Sequence, residues 1–145
     1  MMTNTYLPHV GGVAQSVSRF VDAYQRKGHG TFVVAPEFPE AEGDESGVAR
    51  VPAVQNFNGS DFSVMVPVPF YLTGYLNEFS PDIVHSHHPF LLGTTALRNA
   101  TSRDIPLVFT HHTMYEHYTH YVPLEAENLK EFVIQLCTGY ANRCD

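Results

Sequence analysis

The chain opens with Met1-Met2-Thr3-Asn4-Thr5-Tyr6-Leu7-Pro8-His9-Val10-Gly11-Gly12-Val13: the tail of a strand, a turn through Pro8, and a pair of glycines. Behind the glycines, Val13, Val17, Phe20, Val21 and Tyr24 recur at i, i+4, i+7, i+8 and i+11, one face of a helix. Arg26 and Lys27 sit in its last turn, where the helix dipole favours cations, and Gly28 stops it. Thr31-Phe32-Val33-Val34-Ala35 then reads as a buried strand ending at Pro36. Strand, glycine loop, helix and strand make one βαβ unit.

The same alternation continues downstream. Residues 37–46 are acidic and turn-rich, a solvated loop. Residues 48–54 read as one strand, short or at an edge because Pro52 cannot donate to a ladder. Val64-Met65-Val66-Pro67 reads as a further short one. Phe70, Leu72, Leu76 and Phe79 mark a short helix closed by Ser80-Pro81. Asp82-Ile83-Val84-His85-Ser86 is a strand, and His87-His88-Pro89 turns off it, with Pro89 suited to the first position of the next helix. Residues 105–110 form another strand. Leu129, Phe132, Val133, Leu136, Cys137 and Tyr140 give a core-facing helix over residues 125–140. The fold class is α/β, an open parallel sheet with helices on both faces. Residues 1–3 are short for a first strand, so a clipped central strand is expected. Surface left bare would be covered by a second copy, a homodimer.

Composition removes several function classes. The chain has 145 residues, room for one domain with a core. A net charge of -7 with 8 basic residues argues against a nucleic-acid surface. No apolar run approaches the ~20 residues of a membrane span, and no secretory signal is visible. Cys137 and Cys144 lie seven apart, too far along a helix for a disulfide, and two free buried thiols suit a reducing cytoplasm.

Three loops gather on the carboxyl edge of such a sheet, where open α/β folds bind ligands. Gly11-Gly12 lets backbone approach a ligand closely, and the helix behind it favours an anion such as a phosphate. It lacks the three-glycine dinucleotide pattern, and a plain tight turn reads equally well. His85 and His87 alternate onto one face of their strand end. A metal site there needs further ligands from other strands, and none converges in sequence. The strand Pro106-Leu107-Val108-Phe109 empties into residues 110–121, which hold four histidines, three tyrosines and one glutamate. Of His111 and His112 only one can face the cleft. Histidine suits general acid/base or hydrogen-bonding work. Glu116 and His120 fall at i, i+4 on a lid or a solvated face.

These segments resemble the N-terminal domain of family 4 retaining glycosyltransferases. They are Thr5-Tyr6-Leu7-Pro8-His9-Val10-Gly11-Gly12-Val13, Pro81-Asp82-Ile83-Val84-His85-Ser86-His87 with Pro89-Phe90 and Gly93, and Pro106 through Glu116. The branch nearest in motif contains diacylglycerol glucosyltransferases and mannosyltransferases. The resemblance implies a Rossmann-like half of a GT-B fold. The whole of residues 1–145 would be the acceptor-side domain, cut at both ends, with the donor-binding C-terminal domain absent and the fragment alone inactive. The enzyme would move a hexose from a nucleotide sugar such as UDP-glucose or GDP-mannose to a lipid or carbohydrate acceptor, with no cofactor and no metal. His112 would act at the reacting centre and Gly11 and Gly12 would border the donor phosphates. His9, His87, His111, Tyr115 and Glu116 would line the acceptor cleft. A cytoplasmic enzyme, peripheral to the inner membrane face in its longer form, is implied. The acidic lead of the last helix, Glu125, Glu127 and Glu131, argues against a membrane-binding face there. Two alternatives stand beside this reading: a free-standing flavodoxin-like ligand-binding module, and a metal-dependent hydrolase built on His85, His87, His111 and His112.

Overall fold

The computed structural model describes residues 1–38, 45–54, 64–65, 71–115 and 126–145. The apolar run after Gly28 forms β1 (Val33–Pro36), parallel to β2 (Val48–Val51). The His85 segment forms β5 (Val84–Ser86), parallel to β6 (Leu107–Phe109). Residues 1–3 join the two pairs. Met2 bridges Val34 on one side and Ser86 on the other, both in parallel. The ladder is continuous: Val34 N donates to Met1 O and Thr3 N to Val34 O, while Met2 N donates to His85 O and His87 N to Met2 O, at 2.8, 3.0, 2.8 and 3.0 Å. The spatial order is therefore β2, β1, residues 1–3, β5, β6. The strand-like opening of the chain is the centre of the sheet.

Helices cover both faces. α1 (Gly12–Arg26) follows the glycine pair and lays Val17 against Val33, Ala35 and Tyr6. Gly28, at φ +84, supplies the left-handed residue behind its last turn. On the other face, α3 (Leu92–Arg103) buries Leu92, Ala96 and Ala100 against Met2, Val34, Val84 and Leu107. Tyr140 of α4 (Ala126–Ala141) and Leu76 of α2 (Thr73–Phe79) join that cluster. A fully buried aliphatic side chain contributes roughly 1.5–3 kcal/mol, so these two clusters hold the layers together.

Four sequence expectations need correction. Residues 48–54 are not one strand. Pro52 has no N–H to give a ladder, so β2 ends at Val51, and β3 (Ala53–Val54) pairs antiparallel with β4 (Val64–Met65). Pro89 does not begin α3. The chain makes one more turn, Leu91 adopts φ 56 and ψ -108, and the helix starts at Leu92. Phe132 of the α4 stripe is 59% exposed rather than core. Neither cysteine forms a disulfide and both are only half-buried, and Cys144 lies past the end of α4 with its thiol donating to Tyr140 O.

Candidate functional site

The carboxyl edge is built at the point where strand order reverses, between residues 1–3 and β5. Asn4, one residue past the central ladder, spans that point. Its N–H donates to His88 Nδ1 at 3.1 Å, its Nδ2 to Phe90 O at 3.2 Å, and its Oδ1 accepts from Leu92 N at 3.1 Å. One buried side chain thus caps α3 from 88 positions away and fixes the loop after β5. The same loop packs so tightly that a Cβ on Gly93 would stand 1.9 Å from His88 O. Tyr140 Oη, from α4 on the same face, donates to Gly93 O at 2.9 Å.

On the α1 side, Arg50 holds the first loop. Its Nη2 donates to Leu7 O at 2.7 Å and to Glu45 Oε2 at 2.8 Å, and Nη1 reaches Pro36 O at 3.3 Å. Its guanidinium lies 5.7 Å from the Tyr6 ring centroid. The Leu7–Pro8 bond in this loop is cis. His9 stacks on Phe38, ring centroids 5.9 Å apart. Gly11 is extended and no side chain caps α1, so its first N–H groups face the edge without a side-chain partner. A Cβ on Gly12 would meet nothing within 4 Å. Packing among the described residues therefore does not require glycine there, which leaves room for a ligand.

The histidines meet in the middle. His85 and His87 share the α1 face of β5, ring centroids 4.2 Å apart, and both touch Phe20 of α1. His85 Nε2 lies 2.7 Å from Thr110 Oγ1. His112, from the loop after β6, brings Nε2 to 2.9 Å from His87 Nδ1. His111 turns the other way and packs on Phe109 and Tyr115, so of that pair His112 joins the cluster. Tyr115 also meets Phe90, ring centroids 4.9 Å apart. Glu116 and His120 lie outside the described residues.

The cluster is neutral at physiological pH. Burial, reinforced by the neighbouring N-terminal ammonium and His112, lowers His85 to about 4. Burial, with His85 and His112 beside it, lowers His87 to about 2. Burial lowers His88 to about 4. His112 is lowered as well, by burial and then by His111. Each ring can therefore orient or hydrogen-bond a ligand without carrying charge. Among the described residues, no three His, Cys, Asp or Glu side chains group to hold a metal ion. A groove of about 450 Å³, lined by Tyr24, Phe32, Phe79, Ile83 and Val108, opens toward the amino ends of the strands, and His85 borders both it and the histidine cluster.

Residues 10–145 match the sequence profile of glycosyltransferase family 4. The chain belongs to that family. It is 34% identical over 118 residues to a GDP-mannose-dependent alpha-mannosyltransferase of Corynebacterium glutamicum, covering 78% of this chain and 28% of the relative. It is 32% identical over 126 residues to an alpha-monoglucosyldiacylglycerol synthase of Acholeplasma laidlawii, covering 84% of this chain and 31% of the relative. A synthase of the same name from Streptococcus pneumoniae is 28% identical over 123 residues, covering 84% and 28%. The family 4 chain thus spans about three-tenths of the length of the curated relatives it matches. No solved structure gives a significant match. The mixed α/β sheet with parallel strands is consistent with a Rossmann-like half of a GT-B fold. Among the described residues, no helix is long and apolar enough to cross a membrane.

Asn4, Arg50 and His88 carry the site's architecture and were not predicted as site residues. An asparagine directly after a strand is a weak signal, since it serves local turns as often as distant caps.

Proposed function

We propose that this chain is the acceptor-side domain of a retaining glycosyltransferase, which moves a hexose from a nucleotide sugar to a lipid or carbohydrate acceptor. The observation that carries the reading is the juxtaposition of His112 with His87 on the carboxyl edge of a family 4 domain. The glycine loop at Gly11-Gly12 belongs to the same edge. In this account the donor phosphates lie against the uncapped start of α1. His112 contacts the transferred sugar or the acceptor. His9, Tyr115 and Glu116 shape the acceptor pocket, and the fully buried His87 stands behind His112.

A cleft of this kind works by positioning and by charge stabilisation from both walls. A second, donor-binding domain is therefore part of the proposal, and the 145-residue chain by itself has no turnover. The donor is a nucleotide sugar held without a resident cofactor. GDP-mannose and UDP-glucose are the first donors to test. The mannosyltransferases among the relatives name GDP-mannose as their donor. The synthases form glucosyl lipids, which keeps a lipid acceptor, and peripheral contact with a membrane, within the proposal. The test is transfer of labelled hexose from each donor to diacylglycerol, monoglycosyl lipid and soluble glycoside acceptors, with and without the donor-binding domain.

A further inference from the structure

The separation of 2.9 Å between His87 Nδ1 and His112 Nε2 means one nitrogen carries the shared proton and the other accepts it. Burial keeps both rings neutral, so two arrangements remain. In the first, His112 donates from Nε2, and His87 must then hold its own proton on Nε2. That nitrogen is sealed from solvent and has no hydrogen-bond partner among the described residues. The His87 side chain is fully buried between the rings of Phe20, His85 and His112. His85 Nε2 is engaged with Thr110. The first arrangement therefore buries an N–H with nothing to receive it. In the second, His87 donates from Nδ1 and its Nε2 is a bare lone pair. Orphaned buried N–H groups are rarer than under-used acceptors, and a buried donor without a partner suffers the full desolvation penalty.

We infer that His87 is a positioning residue: it donates its Nδ1–H to His112 Nε2, fixing His112 in the neutral Nδ1–H tautomer and holding its ring plane. Its part in sugar transfer rests on the role of His112 proposed above; the tautomer does not. The nitrogen that His112 has left is then a donor. It takes a ligand oxygen that offers a lone pair, and it cannot accept a proton there. His112 thus serves as an orienting hydrogen-bond donor rather than as a base.

Long-range proton–nitrogen correlation spectra of the ¹⁵N-labelled 145-residue chain at neutral pH read this directly. The expected wild-type result is a protonated Nδ1 and a bare Nε2 on His112. His87→Asn, whose amide places a donor near the original Nδ1, retains that pattern. A folded His87→Phe protein loses it, and His112 moves to the Nε2–H form that free histidine favours. An Nε2–H tautomer of His112 in the wild-type protein overturns the inference without any variant. An unchanged His112 in folded His87→Phe overturns it as well. Either outcome leaves the sugar-transfer reading standing, because that reading fails only in the transfer assay.

Discussion

His87 and His112, 25 residues apart in sequence, are joined ring to ring by a 2.9 Å contact between Nδ1 and Nε2. β5 and β6 pair in parallel with Ser86 opposite Phe109, so the residues that leave the two strands emerge side by side. The contact is a consequence of sheet register, and everything proposed for the site depends on that register being held.

Stability should fall as the histidine cluster is titrated. Unfolded histidine takes up its proton near pH 6.5, whereas folded His85 and His88 do so only near 4 and His87 lower still. Between those values the unfolded chain binds more protons, so acidification favours it. Each histidine contributes a slope of at most about 1.4 kcal/mol per pH unit. The loss begins below about pH 6.5 and, for His85 and His88, levels off below about pH 4. Urea midpoints measured at neutral pH and near pH 5 check this. A midpoint that does not move contradicts the neutral, buried cluster.

Asn4→Ala should destabilise the protein by about 1–3 kcal/mol. The change leaves the buried Leu92 N without its acceptor and takes one donor from Phe90 O, which keeps Gly93 N. Hydrogen exchange should rise first in residues 88–93. Denaturant unfolding gives the total, and a loss under about 0.5 kcal/mol, the range of ordinary surface changes, contradicts the bridging role.

Gly93→Ala should destabilise by about 3 kcal/mol, the upper range for forced overpacking, because backbone and not a flexible side chain stands 1.9 Å from the new Cβ. Gly12→Ala separates fold from function. Its Cβ meets nothing, so stability should hold or rise by up to about 1 kcal/mol. Sugar-nucleotide affinity, measured with the donor-binding domain present, should weaken by about tenfold, near 1.4 kcal/mol. Unchanged affinity removes Gly12 from the donor site.

Much of this fold was legible because apolar periodicity reports burial. The 13-17-20-21-24 stripe became α1, the valines before Pro36 became β1, and Met1-Met2-Thr3 proved to be strand-like at the centre of the sheet. His85 and His87 were placed on one face by alternation alone, and their rings are 4.2 Å apart. What stayed hidden involves partners far away in sequence. Nothing local to Asn4 says that it meets residues 84 to 88 positions on. Nothing local to Arg50 says that it ties down Leu7. The start of α3 was misread because Pro89 suits a helix start on local grounds. The close approach of Gly93 to His88 O accompanies a further turn through Leu91.

The central claim is that His112 acts in hexose transfer, and the most direct measurement is kcat for transfer from GDP-mannose or UDP-glucose. The comparison is between the wild type and His112→Ala, in a chain that includes the proposed donor-binding domain. Loss of a preorganised hydrogen bond at the reacting centre predicts a kcat lower by about 100-fold or more, with the fold intact by circular dichroism. A folded His112→Ala enzyme with wild-type kcat contradicts the account.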